Sequence, residues 1–156
     1  MNEIIRRFMR QEDVGKFAAN VAAAEKNVRE SLLRVRQKGY YPPAGRYGED
    51  LYAAAKRCGE HTINESYARG IAEGTAAGAG IAVSFKEMRE PEENFAEQKA
   101  VLQEEGFLLD REDREMLERA VADFYAALRE SAHGYYLAGL RLGIAVGELL
   151  AEHSAK

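Results

Sequence analysis

Apolar residues in the first part of the chain recur at three- and four-residue steps: Val14, Phe17, Val21, Ala24, Val28, Leu32 and Val35. That is the period of an amphipathic helix of about six turns. Gly39 stands where a glycine with positive φ would close it. Tyr40-Tyr41-Pro42-Pro43-Ala44-Gly45-Arg46-Tyr47-Gly48 then reads as a loop, since two prolines and two glycines break either regular structure. From 49 to 89 one helical face is held by Tyr52, Ala55, Gly59, Ile63, Tyr67, Gly70, Gly74, Ala77, Ile81, Phe85 and Met88. This predicts one long helix, or two nearly collinear ones broken near Gly59–Thr62, where Thr62-Ile63-Asn64-Glu65 has the form of a capping box. Pro91 suits the first turn of a third helix that runs to about Glu105 and stops at Gly106. Asp110 offers an N-cap to a last helix, from Arg111 toward His153, whose stripe includes Leu117, Val121, Phe124, Leu128, Tyr135, Leu142 and Leu149. No segment alternates with period two, so the expected fold is all-α, a single helical domain over 1–156.

The two halves of the chain resemble each other. Val35-Arg36-Gln37-Lys38-Gly39-Tyr40 matches Leu102-Gln103-Glu104-Glu105-Gly106-Phe107, a helix end, a glycine stop and an aromatic. Tyr67, Gly70, Gly74 and Gly78 match Tyr136, Gly139, Gly143 and Gly147. Approximate repeats over 14–89 and 92–153 therefore predict a four-helix bundle built from two similar helical hairpins, the second helix of each long and glycine-striped.

Those stripes carry the most information. Each glycine inside a helix costs on the order of 1 kcal/mol relative to alanine. Six of them weigh about 6 kcal/mol against a total stability of roughly 5–15 kcal/mol. A compensating contact is required. Spaced at i, i+4 and i+8, the glycines form a groove that another backbone or a flat ring can approach closely. Tyr67, Gly70, Gly74, Gly78, Tyr136, Gly139, Gly143 and Gly147 are accordingly candidates for helix packing, inside the bundle first and between subunits second. Insertion into a membrane is disfavoured by Arg69, Glu73, Arg141 and Glu148, which interrupt the stripes.

Charge adds an asymmetry. The net charge of −4 divides into an excess of +5 over residues 1–48 and a deficit of −9 over 49–156. A basic arm of this kind either contacts nucleic acid or lies against the acidic remainder and neutralises it. Arg34, Arg36, Lys38 and Arg46 cluster around Tyr40, Tyr41 and Tyr47, a set able to hold phosphates and stack on unpaired bases, or to anchor a protein partner. The single cysteine, Cys58, excludes a disulfide framework and suits a reducing compartment. The longest uncharged run, Gly74 to Phe85, is too short to span a bilayer, and Met1–Arg10 lacks the apolar stretch of a signal peptide. The expected address is the cytoplasm.

Catalytic signals are sparse. Glu130-Ser131-Ala132-His133 has the spacing that puts a carboxylate and an imidazole on one helix face, and His61 and Glu65 lie one turn apart. A di-iron bundle needs two such motifs and two further glutamates, so no metal is expected. Lys56 and Arg57 beside Cys58 would lower its pKa, although a small buried residue is the plainer role. There is no nucleotide-binding loop and no nucleophile elbow. We expect no cofactor and no enzyme activity.

Tyr136-Leu137-Ala138-Gly139-Leu140-Arg141-Leu142-Gly143, followed by Glu148-Leu149-Leu150, resembles the C-terminal helix of small uncharacterised all-helical proteins of Gram-positive bacteria and their phages, which end in an aromatic and Gly-x-Arg-x-Gly. The likeness covers about forty residues, carries no activity with it and implies a bacterial or phage setting. The reading that follows is a helical protein–protein interaction or self-assembly module, including an inhibitor of a host protein carried by a phage or mobile element. Its partner is a protein or a second copy of the chain. A nucleic-acid-binding regulator using the basic helix and tyrosine-rich loop is the alternative.

Overall fold

A computed structural model describes residues 11–81 and 91–155. They form four α-helices and a short 3-10 turn, with no strand among the described residues. Helix α1 spans Gln11–Gln37, the 3-10 turn Ala44–Arg46, α2 Tyr47–Gly78, α3 Pro91–Gly106 and α4 Arg111–Ala155. The protein is all-α. The predicted stripe positions Phe85 and Met88, the arginines of Met1–Arg10 and the side chain of Val14 lie outside what is described.

Helix ends follow local chemistry where glycine supplies it. α1 closes at Gly39, whose φ is +72° and whose amide donates to the Arg36 carbonyl at 3.1 Å. α2 does not reach 89. Gly80, at φ +74°, donates to the Ala77 carbonyl at 3.1 Å, and the Ile81 amide reaches the Ala76 carbonyl at 2.8 Å. That pair of bonds is a Schellman closure, which turns the chain out of the helix. Of the two alternatives at Gly59–Thr62, the continuous helix is the one found, and α2 runs through without a break. Leu128 packs directly over Gly59, so this glycine serves contact and not bending. Tyr47 and Gly48, read as loop, are the first residues of α2.

The chain divides into two compact units. One comprises Ala19–Glu60 and Arg89–Leu128. Its core is Val28 and Val35 of α1, Tyr47, Leu51, Ala54 and Ala55 of α2, and Leu117, Val121 and Phe124 of α4. α1 and α2 run antiparallel there: Leu32 lies over Gly48, and Glu25, seven residues earlier in α1, meets Tyr52, four residues later in α2. α2 and α3 are also antiparallel, because the Tyr47 ring covers Gly106 while Arg57 bonds Gln98. Tyr52 stacks on Phe124 and Phe95 on Tyr125, with ring centroids 5.3 and 4.4 Å apart. Gly106 keeps a negative φ, so the glycine is required by the Tyr47 ring (a Cβ there would lie 2.7 Å from Cζ) and not by a left-handed turn. The second unit comprises Met1–Ala18, His61–Met88 and Arg129–Lys156, and within it the glycine-bearing parts of α2 and α4 lie side by side.

Candidate functional site

The basic end of α1 and the loop after it are tied down by one carboxylate. Asp113, in the first turn of α4, is only 4% exposed. It accepts hydrogen bonds from Lys38 Nζ and from the Tyr40 hydroxyl, both at 2.6 Å. The Tyr40 oxygen in turn accepts from the Asp110 amide at 3.2 Å. Burial alone pushes the Asp113 carboxyl up, but the bonds from Lys38 and Tyr40 outweigh it and hold the group below its ordinary value. The same bonds raise Lys38 and push Tyr40 up to about 12. Arg36 pairs with Glu49 at 2.5 Å. Two of the four candidate cations are therefore engaged by the protein's own carboxylates. Arg34 and Arg46 are exposed and make no ion pair among the described residues.

The three tyrosines separate in the same way. Tyr41 is 87% exposed, whereas Tyr47 is 1% exposed and donates to Glu118 at 2.8 Å. The expectation that Tyr40, Tyr41 and Tyr47 form a set of exposed anchors is corrected to Tyr41 alone. Tyr47 fails it because its ring fills the space above Gly106, and Tyr40 because its hydroxyl is committed to Asp113.

The glycine stripes meet one another. A Cβ built on Gly70, Gly74 or Gly78 would strike the carbonyl oxygen of Tyr136, Leu140 or Ile144 in turn. One on Gly139, Gly143 or Gly147 would strike that of Tyr67, Ile71 or Thr75. In every case the obstacle is the carbonyl three residues before the facing glycine, and the next contact is the amide nitrogen one residue after it, at 2.7–3.0 Å. Gly70 thus pairs with Gly139, Gly74 with Gly143 and Gly78 with Gly147, so the two helices run parallel through a reciprocal seam. Each glycine α-hydrogen faces a carbonyl, the weak C–H···O contact that close helix crossings use. The seam leaves these six positions no room for another subunit. At its edges Tyr67 meets Tyr135 edge-on at 6.2 Å, and the Tyr136 hydroxyl donates to Glu73, which also pairs with Arg69 at 2.8 Å. The Tyr136 bond, then the Arg69 bond, holds the Glu73 carboxyl below its usual range.

Two cavities open in the first unit. One, about 350 Å³, lies between α1 and α4 and is bordered by Glu30, Ser31, Arg34, Glu112 and Arg119. The other, about 310 Å³, lies between α2 and α3, with Ala53, Ala54, Val101 and Leu102 forming its apolar surface. In the first, the Ser31 hydroxyl donates to the Asn27 carbonyl at 2.9 Å. Cys58 is buried, the plainer of the two roles read from the sequence, and that burial raises its thiol pKa against the smaller lowering effect of Arg57. Glu130 and His133 are both exposed, and His61 pairs with Glu65 at 2.7 Å on the surface. Among the described residues no group of three His, Cys, Asp or Glu is placed to hold a metal ion, and no helix is long and apolar enough to cross a membrane.

No family model, no curated protein and no solved structure matches the chain. Sequence reasoning missed Asp113, Glu118 and the role of Gly106. Asp113 and Glu118 are two of many acidic residues in the final helix, and their partners lie 75 and 71 positions away. Only a composition cue, the excess of positive charge before residue 49 and of negative charge after it, pointed toward the Lys38–Asp113 contact.

Proposed function

We propose that the protein is a non-enzymatic helical module, a bundle of two similar hairpins, that works by protein–protein association, with a homo-oligomer as its form. The observation that carries this reading is the α2–α3 groove, where Val101 stands 80% exposed beside a small-residue surface; in the turn after α3, Phe107 and Leu108 are each 59% exposed. Burying one such side chain is worth about 1.5–3 kcal/mol, and exposed apolar residues gathered around a concave surface are a mark of contact sites.

Size-exclusion chromatography with light scattering, recording absorbance at 260 and 280 nm in low salt, tests it. A peak at an integer multiple of 17.4 kDa without excess absorbance at 260 nm is the expected result. A species of 17.4 kDa at every concentration refutes the homo-oligomer. Excess absorbance at 260 nm that disappears in high salt replaces this reading with nucleic-acid binding, for which Arg34 and Arg46, exposed and without an ion pair among the described residues, and the exposed Tyr41 are the available groups.

A further inference from the structure

Resting on the association reading, we propose that the α2–α3 groove is a two-fold contact with a second copy of this chain, in which α2 lies antiparallel on its counterpart. The groove is bordered on α2 by Asp50, Ala53, Ala54 and Arg57. Their spacing, i, i+3, i+4 and i+7, places them on one stripe of the helix. Asp50 and Arg57 stand at its two ends, about 10.5 Å apart along the axis. The stripe therefore reads negative, small, small, positive.

That order is complementary to itself when reversed. In a two-fold contact, residue i of one protomer meets residue j of the other, and j meets i. Two α2 helices laid antiparallel bring Asp50 against the partner's Arg57, and Arg57 against the partner's Asp50, while the half-buried Ala53 between them, with the buried Ala54 at its edge, adds no bulk to hold the axes apart. Both charges are available. Asp50 is exposed and makes no ion pair among the described residues, and Arg57 donates only to the neutral Gln98 amide at 3.0 Å. The antiparallel register of α2 and α3 sets Val101 level with the alanines, midway between the charges, so the second groove covers the most exposed aliphatic side chain of this unit. The head-to-tail charge order fits a second copy of the chain, because the reversed stripe is its own complement.

The test uses the full-length chain and sedimentation equilibrium at low salt on the wild type, Asp50→Arg, Arg57→Asp, the double variant, and an equimolar mixture of the two single variants. Both positions are exposed, and far-ultraviolet circular dichroism checks that each variant stays helical. The wild type is expected to sediment at twice 17.4 kDa. Each single variant sets like charges together at both ends of the contact, so its dissociation constant should rise roughly tenfold or more. The double variant restores opposite charges and should return close to the wild-type constant. In the mixture, heterodimers should form more tightly than either single variant pairs with itself. A wild-type dimer whose constant is unchanged by either single substitution would place the contact on another face, overturning this inference while leaving association standing. A wild type of 17.4 kDa throughout would overturn both this contact and the homo-oligomer.

Discussion

Replacing Gly143 with alanine sets two effects of known sign against each other. Inside a free helix, alanine is better than glycine by about 1 kcal/mol. In the seam the new Cβ collides with the Ile71 carbonyl and lies 2.7 Å from the Thr75 nitrogen and 2.9 Å from the Gly74 Cα. All three obstacles are backbone atoms of a continuous helix, so no side chain can turn aside to relieve the clash. The helices must separate, and separation loosens the neighbouring rungs at Gly70–Gly139 and Gly78–Gly147 as well. Overpacking of this kind costs roughly 1–3 kcal/mol, and each C–H···O contact forfeited adds about 0.5–1 kcal/mol. The propensity gain offsets only part of this, leaving a net loss of about 1–3 kcal/mol. For a chain of this size that corresponds to a fall in Tm of roughly 2–12 °C.

Two further glycines calibrate the measurement. Gly15 lies in α1 with nothing within 4 Å of a built Cβ, so Gly15→Ala should stabilise by up to about 1 kcal/mol. Gly59 faces the side chain of Leu128, whose Cδ1 can turn aside while its Cβ, 2.8 Å from the built atom, needs a small shift of the helix, so Gly59→Ala should fall between the two. Urea unfolding followed by circular dichroism at 222 nm gives the order directly from the midpoints, provided the slope is unchanged. The expected order of stability is Gly15→Ala, then Gly59→Ala, then Gly143→Ala. A Gly143→Ala midpoint as high as that of Gly15→Ala would refute the seam as a backbone contact.

The tyrosines and their carboxylates supply the remaining tests. Tyr47→Ala should cost about 3–5 kcal/mol by emptying the space over Gly106, whereas Tyr41→Ala, at 87% exposure, should change the urea midpoint by less than about 0.5 kcal/mol equivalent. Asp113→Ala should cost about 1–3 kcal/mol, because Lys38 and Tyr40 lose their shared acceptor. The Asp113 carboxyl is depressed in the folded state, so its contribution is present above its unfolded value of 3.8 and is lost as pH falls through the lower folded value; acid unfolding of Asp113→Ala should lack that component. Tyr40 is raised from 10.0 to about 12, so its contribution is complete below pH 10 and disappears as pH rises toward 12. Absorbance of tyrosinate at 295 nm should show several late-titrating groups, since Tyr47, Tyr52 and Tyr136 are raised as well, and Tyr40→Phe should lower the late amplitude by one tyrosine.

Residues that answer to local chemistry were legible in the sequence, and residues that answer to distant partners were not. The α1 stripe and the stop at Gly39 depend on neighbours within a turn, and both are where the pattern puts them. Tyr47 was misassigned because it follows Pro-Pro-Ala-Gly-Arg, a local loop signal, whereas its burial is decided by Gly106, 59 positions away. Gly80 was absorbed into the predicted α2 because Gly70, Gly74, Gly78 and Gly80 look alike as letters. Three of them face a backbone and the fourth turns the chain left-handed with nothing beside it. Both uses of glycine satisfy the same composition, and only a φ value or a facing atom separates them.

The apparent duplication divides along the same line. Gly39 and Gly106, matched at an offset of 67, share a sequence context but no conformation: one has φ +72° in open space, and the other lies under an aromatic ring without positive φ. Gly70, Gly74 and Gly78 match Gly139, Gly143 and Gly147 at an offset of 69, and those same pairs face each other across the seam with mirrored obstacles. A parallel two-fold crossing imposes identical demands on both helices at each rung, so both must offer glycine at equivalent positions. The equivalence at offset 69 is thus explained by contact symmetry, and that explanation predicts that alanine at Gly74 and alanine at Gly143 destabilise by similar amounts. Because the two clashes act on the same rung, the double variant should cost less than the sum of the singles: the separation forced by the first Cβ already makes room for the second.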